Sequence, residues 1–266
     1  MQKLRLGIST CPNDTFIYEA LVQGLIHSEF AWEVTFADVQ TLNEMVLAGN
    51  LDVAKVSCGV LPQIQSNYRL LSCGGAMGYG CGPLLLSSRE SASFDPASKT
   101  FLPGKNTTAA ALFFFWFATT QGGRRPIVSY AFFDEIYQKL LSRQCFQGVV
   151  IHEKRFTWEQ DGLKSLVDLG AFWETETRSP IPLGCTVAKK SLEAAAILAI
   201  ENEIRRSLDF AWRRPNLVSD FIREKAQIAD DSVIEKHIRM FVTEFTRNIG
   251  SDGERALDCL AKHLPV

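Results

Sequence analysis

Two hydrophobic periodicities take turns along the first sixty residues, and only a layered α/β arrangement satisfies both. Leu4, Leu6 and Ile8 alternate with Lys3, Arg5 and Gly7, the period-two mark of a strand. The run Ser9-Thr10-Cys11-Pro12-Asn13-Asp14 then offers helix-starting caps, and Phe16, Ile17, Ala20 and Leu21 fall on one helical face ahead of Gly24. Trp32, Val34 and Phe36 repeat the strand pattern. Thr41-Leu42-Asn43-Glu44 reads as a capping box, with its helix stopping at Gly49. A third strand is expected over 51–57. Strands and helices alternating at this spacing predict a parallel sheet with helices on its faces.

Two breakers interrupt the alternation. Residues 74–83 are rich in glycine and end in Pro83, and Ser179-Pro180-Ile181-Pro182-Leu183-Gly184 follows about a hundred residues later. Between them the pattern resumes: apolar runs at 84–87, 100–102, 127–130 and 148–151, a helix opened by Asn106-Thr107-Thr108, and one capped by Asp134. From Ser191 the chain reads as helix, with Ile197, Ile200, Ile204, Leu208 and Ala211 on one face, then further helices after Pro215, Asp231 and Asp252. Two crossings imply two lobes: residues 1–82 with 183–266, and an inserted lobe over 83–182.

Composition narrows the partners. Lys+Arg 28 against Asp+Glu 30 gives a net charge of −2, and no basic run is present, so nucleic acid and anionic membrane surfaces are not expected partners. Seven cysteines with no Cys-x-x-Cys pair point to a reducing, cytoplasmic setting, and Lys3 and Arg5 interrupt any export signal. The uncharged stretch from Asn106 to Gly123 has an apolar centre of only Ala109 to Ala118, short of the roughly 20 residues a bilayer needs. Its run Phe113-Phe114-Phe115-Trp116-Phe117 covers every helical face, which suggests core packing plus a possible homodimer surface. Cofactor and metal motifs fail in context. Gly78-x-Gly80 precedes a strand instead of following one, Lys99 replaces the first glycine of a phosphate loop ending in Gly104-Lys105, and Phe156 stands where a zinc helix beginning at His152-Glu153 needs its second histidine. No metal or cofactor is expected.

The residues left with chemistry lie where strands end. His152 follows Gly148-Val149-Val150-Ile151, at the carboxyl end of a buried strand, where open α/β sheets bind ligands; it is either a proton-transfer group or a hydrogen-bonded wall residue. Lys55, in a strand otherwise apolar, needs a partner or a ligand, and Ser57 ends that strand. Thr107 and Thr108 offer hydroxyls and helix-start N–H groups to an anion, or cap their helix. Asn13, Asp14 and Thr15 are caps or contacts in the same way. His27, His237 and His263 lie on or beside helical patterns and read as structural, and Glu153, Lys154 and Arg155 as a solvated turn.

The ordered segments Ser9 to Phe16, Lys55-Val56-Ser57, Gly74-Gly75-Ala76, Pro103 to Thr108, Ile151 to Thr157 and Pro182-Leu183-Gly184 resemble the 1,4-dihydroxy-6-naphthoate synthase family of the futalosine route to menaquinone. That resemblance implies a periplasmic-binding-protein type II fold, two α/β lobes with the ligand between them. It implies conversion of cyclic dehypoxanthine futalosine, a small anionic substrate, to 1,4-dihydroxy-6-naphthoate with release of dihydroxyacetone, without cofactor. His152 matches the family's catalytic base, Lys55, Val56 and Ser57 one substrate-binding segment, and Thr107 and Thr108 another. Thr10 departs from the family's usual proline. The alternatives are chorismate dehydratase of the same pathway, which the His152 segment disfavours, and a non-catalytic cytoplasmic binding protein.

Overall fold

A computed structural model describes residues 1–89, 93–122, 124–226 and 229–264, the side chain of Glu153 aside; Gly123 and that side chain, both named above, lie outside the description. The chain opens with β1 (Gln2–Ile8), α1 (Pro12–Val22), β2 (Phe30–Phe36), α2 (Val39–Leu47) and β3 (Val53–Ser57). A 3-10 turn over Cys58–Val60 leads to α3 (Leu61–Ile64), β4 (Tyr68–Leu70) and β5 (Ala76–Gly78). Then come β6 (Leu84–Ser87), β7 (Thr100–Leu102), α4 (Thr108–Thr120), β8 (Val128–Tyr130), α5 (Phe133–Leu141) and β9 (Gln147–Val150). A 3-10 segment over His152–Phe156 precedes β10 (Lys164–Asp168), α6 (Leu169–Thr177) and β11 (Ile181–Lys189). The remainder is helical: α7 (Ala194–Trp212), α8 (Asp220–Lys225), α9 (Asp231–Phe241), α10 (Glu244–Arg247) and α11 (Gly250–His263).

These strands form two mixed sheets instead of the parallel sheet expected. In the first, the order is β2-β1-β3-β11-β4, with β5 also on β11. The β1–β2 and β1–β3 pairs are parallel, but β11 runs antiparallel to β3, β4 and β5. The second sheet has the order β10-β6-β9-β7-β8 and joins two antiparallel pairs to two parallel ones. The sequence periodicity sees strands but not their direction, and β11 comes back from beyond the second sheet to fill the middle of the first.

Each sheet has its own core. Leu4, Leu6 and Ile8 meet Phe16 and Ile17 of α1 and Ile197, Ile200, Ile204 and Leu208 of α7; each such side chain contributes about 1.5–3 kcal/mol on burial. Leu84, Leu86 and Val150 pack on Ile136 and Leu140 of α5. A third cluster joins the two halves through α4. Phe113, Trp116 and Phe117 are buried there, in contact with Phe94, while Phe115 packs on Phe172, Trp173 and His263. The aromatic run is therefore largely satisfied within its own chain.

Four expected helix starts are corrected. Helix α2 starts two residues before Thr41, because the Asp38 carboxylate accepts from the Gln40 N–H at 2.8 Å and opens the helix there. Asp134 lies inside the first turn of α5, whose cap position is held by Phe132. Similarly, α11 starts at Gly250 ahead of Asp252, and after Pro215 the helix begins at Asp220. At the first crossing two backbones touch: a Cβ on Gly82 would meet the Gly170 Cα at 2.3 Å, so this approach of the crossing to α6 requires glycine.

Candidate active site

Between the sheets lies a cleft open to solvent and lined from both of them, the ordinary setting of a small-molecule site. Every candidate except Thr15 lines it: Asn13 and Asp14 from the start of α1, Lys55, Val56 and Ser57 from the end of β3, Thr107 and Thr108 from the start of α4, and His152 after β9. Thr15 is buried and bonds back to the Cys11 and Pro12 carbonyls.

Lys55 and Asp14 form one buried pair. The Lys55 ammonium donates to the Asp14 Oδ1 at 2.6 Å, and both side chains are about 95% shielded from solvent. Asp14 collects two more donors, the Asn13 amide at 2.7 Å on Oδ1 and the Ser9 hydroxyl at 2.6 Å on Oδ2. A carboxylate with three donors compensates an ammonium that could not be buried alone. The partner demanded by Lys55 is thus supplied from the run that opens α1.

Ser57 and Thr108 form a seam. The Thr108 N–H donates to the Ser57 Oγ at 2.7 Å, the two hydroxyls lie 3.1 Å apart, and the Thr108 hydroxyl reaches the Leu183 carbonyl at 2.9 Å. Asn43 ties the same corner, accepting from the Ser57 N–H and donating to the Asn106 carbonyl. A Cβ on Gly59 would meet the Thr107 carbonyl carbon at 2.8 Å, so β3 and α4 meet closely only because Gly59 is there. Thr107 is the N-cap of α4: its Oγ accepts from the Ala110 N–H at 3.2 Å and donates to the Gly104 carbonyl at 2.9 Å. Its hydroxyl serves the cap, and a ligand contact would share it.

His152 stands at φ 59°, a left-handed conformation that costs a non-glycine residue about 1–2 kcal/mol. The turn aims its ring at the start of α1, where the Cys11 Sγ lies 3.4 Å from Nδ1, with the Phe133 ring edge-on at 4.7 Å.

Four residues read from sequence as structural, as a solvated turn or as caps prove to line the cleft. His237, on α9, is wholly buried, with its Nε2 2.9 Å from the Asn13 Oδ1 and its ring 6.4 Å from that of His152 at 21° between planes. Burial, then the neighbouring His152, push its pKa well below the usual imidazole value, so the ring is neutral. Arg155 is no solvated turn: it donates to the Gly82 carbonyl at 2.5 Å and pairs with Asp168 at 2.7 Å, bracing the crossing. Cys11 and Ser9 belong to a run read only as caps. For His237 no sequence signal existed, since its spacing fits α9; for Arg155 the signal was adjacency to His152. His27 contributes its carbonyl to Arg206, and His263 packs on Phe115, both away from the cleft. Cys81, also in the cleft wall, has its thiol pushed up to about 12 by burial.

Among the described residues no three His, Cys, Asp or Glu side chains gather as a metal site, and no helix is long and apolar enough to cross a membrane. Two sheets with a cleft between them define a periplasmic-binding-protein-like fold. The chain superimposes on a crystallised protein from Archaeoglobus fulgidus with a TM-score of 0.90 and 25% identity, covering 98% of this chain and 96% of that one. It also superimposes on the periplasmic aliphatic sulphonate binding protein SsuA from Escherichia coli with a TM-score of 0.65 and 11% identity, covering 98% and 87%.

Within that fold the chain belongs to the menaquinone biosynthesis family, whose pattern it matches over residues 4–265. Relatives named 1,4-dihydroxy-6-naphthoate synthase are 40% identical in Streptomyces coelicolor, over 96% of this chain and 90% of that protein, and 38% identical in Thermus thermophilus, over 97% and 92%.

Proposed function

We propose that the protein is a 1,4-dihydroxy-6-naphthoate synthase: a carbon–carbon lyase that converts cyclic dehypoxanthine futalosine to 1,4-dihydroxy-6-naphthoate and dihydroxyacetone. The observation that carries this reading is the convergence of His152 with Lys55, Ser57, Thr107 and Thr108 on one cleft, under near-full-length similarity to relatives of that name. The reading takes residues 1–82 with 183–266 as one lobe and 83–182 as the other, with the substrate held between them. Lys55 and the helix start at Thr107 and Thr108 receive the substrate carboxylate, where the Lys55 ammonium, shared with Asp14, and the positive end of the α4 dipole favour an anion. The His152 imidazole takes a substrate proton; the electron pair released breaks the carbon–carbon bond to the sugar-derived carbons, and the ring left behind becomes aromatic. The cleft keeps water from the intermediate. The reaction is assigned to the cytoplasm and to no added cofactor.

The test is incubation of purified protein with cyclic dehypoxanthine futalosine, with both products followed by mass spectrometry and chorismate as the competing substrate. Turnover of the first and not the second is expected, with a loss of about 10²–10⁴-fold in His152→Ala, the usual worth of a general base. Absence of turnover by folded wild type, or dehydration of chorismate, would overturn the assignment; undiminished turnover by the variant would remove His152 as base.

A further inference from the structure

One buried chain of hydrogen bonds in the cleft wall has its donor order dictated from one end. The Asp14 Oδ1 accepts from the Lys55 ammonium at 2.6 Å and from the Asn13 amide nitrogen at 2.7 Å. A carboxylate has only lone pairs to offer, so Asn13 must turn its NH₂ toward Asp14 and its Oδ1 toward His237. The His237 Nε2, 2.9 Å away, is then obliged to donate. Its Nδ1 keeps a lone pair that meets no hydrogen-bond partner inside a wholly buried ring. An unsatisfied buried acceptor is costly, so a histidine used only as packing would be better replaced by an apolar ring or leucine. What the imidazole supplies here is the Nε2–H.

Resting on the reading of His152 as the base, we propose that His237 is a positioning residue for the reaction: its Nε2–H fixes the Asn13 amide, and through it the Asp14–Lys55 pair that faces the substrate. Without that donor the Asn13 carbonyl is unpaired, the amide is free to turn, and the Lys55 head group loses its fixed aim. The loss falls on substrate capture before it falls on the chemical step. An uncharged His237 also adds no repulsion when the ring of His152, 6.4 Å away, takes up a proton. That neutrality follows from the burial of the ring. The connection links α9 to α1 across 224 positions of sequence, so it belongs to the finished fold and not to any local motif.

Two variants of the whole chain test this. His237→Leu removes the donor, and His237→Gln restores an N–H near the position of Nε2. Leucine is expected to raise KM about tenfold, the worth of one buried hydrogen bond, with kcat changed far less because leucine too is uncharged; glutamine is expected to recover most of the loss. A third measurement needs neither substrate nor variant. The ¹⁵N imidazole spectrum of wild type should show His237 protonated on Nε2 and bare on Nδ1. Equal KM in wild type and the leucine variant, no recovery by glutamine in a folded protein, or a proton on Nδ1 would overturn the assignment. Failure of wild type to turn over cyclic dehypoxanthine futalosine would defeat the reading of the reaction instead, and is distinguished from these by occurring before any variant is compared.

Discussion

The rings of His152 and His237 lie 6.4 Å apart and within 21° of parallel, yet one is fully buried and the other opens toward the cleft. Both rings are met from one helix start: His152 by Cys11, the N-cap residue of α1, and His237 by Asn13 in its first turn.

His152 is held in a left-handed backbone conformation. Under the proposed role His152→Gly should lower turnover about 10²–10⁴-fold, as His152→Ala does, while leaving stability within about 1 kcal/mol of wild type, since relief of backbone strain offsets the added freedom of the unfolded chain. Urea unfolding checks this; a loss beyond 3 kcal/mol, roughly the largest ordinary mutational effect, would mean that the side chain holds the loop.

Lys55→Met strands the Asp14 carboxylate in a buried site. Removal of one partner from such a pair costs about 3–5 kcal/mol, and the midpoint of denaturant unfolding should fall accordingly. Asp14→Asn in the same background should recover part of the loss, because the amide needs no counter-charge. An unchanged midpoint in Lys55→Met would show that water reaches the pair.

The pH dependence has a defined sign. In the unfolded chain His237 binds a proton below about 6.5, whereas burial keeps it neutral in the fold. Below that pH the unfolded state therefore holds more protons, and stability falls as pH drops, by up to about 1.4 kcal/mol per pH unit from this group until the depressed folded pKa is reached. In His237→Gln that contribution disappears. The stability difference between pH 7 and pH 5, measured by urea unfolding, should be smaller in the variant; an equal difference would place the acid sensitivity elsewhere.

Thr107→Val removes the cap of α4 and should cost about 1 kcal/mol, with Thr107→Ser recovering it. Under the proposed contact KM rises in the valine variant as well. A stability loss with unchanged KM would confine Thr107 to capping.

Much of this was legible in the residues. The period-two runs marked β1 and β2, and the apolar i, i+3, i+4 spacing marked α7, because each sets its apolar side chains against a core, while β3 is buried on both faces and reads as an almost continuous apolar run. Lys55 announced a buried partner by standing in an apolar strand. Strand direction was not legible, since β11 pairs with β3 through register and not through composition. Arg155 and His237 were misread because a charged residue in a turn and a histidine on a helix have ordinary local explanations; their partners Gly82 and Asn13 are distant in sequence.

The placing of β11 also bears on how the chain assembles. Among the described residues, strands β4 and β5 have no sheet neighbour except β11, which ends at Lys189. A ribosome that has released the first eighty residues has therefore delivered a sheet missing its central strand, with two edges waiting. The inserted sheet, whose strands are local to 84–168, can form before the one that precedes it in sequence. The sheet that comes first in the chain is thus the last that can be completed, and until β11 arrives its open edges are free to pair with other chains.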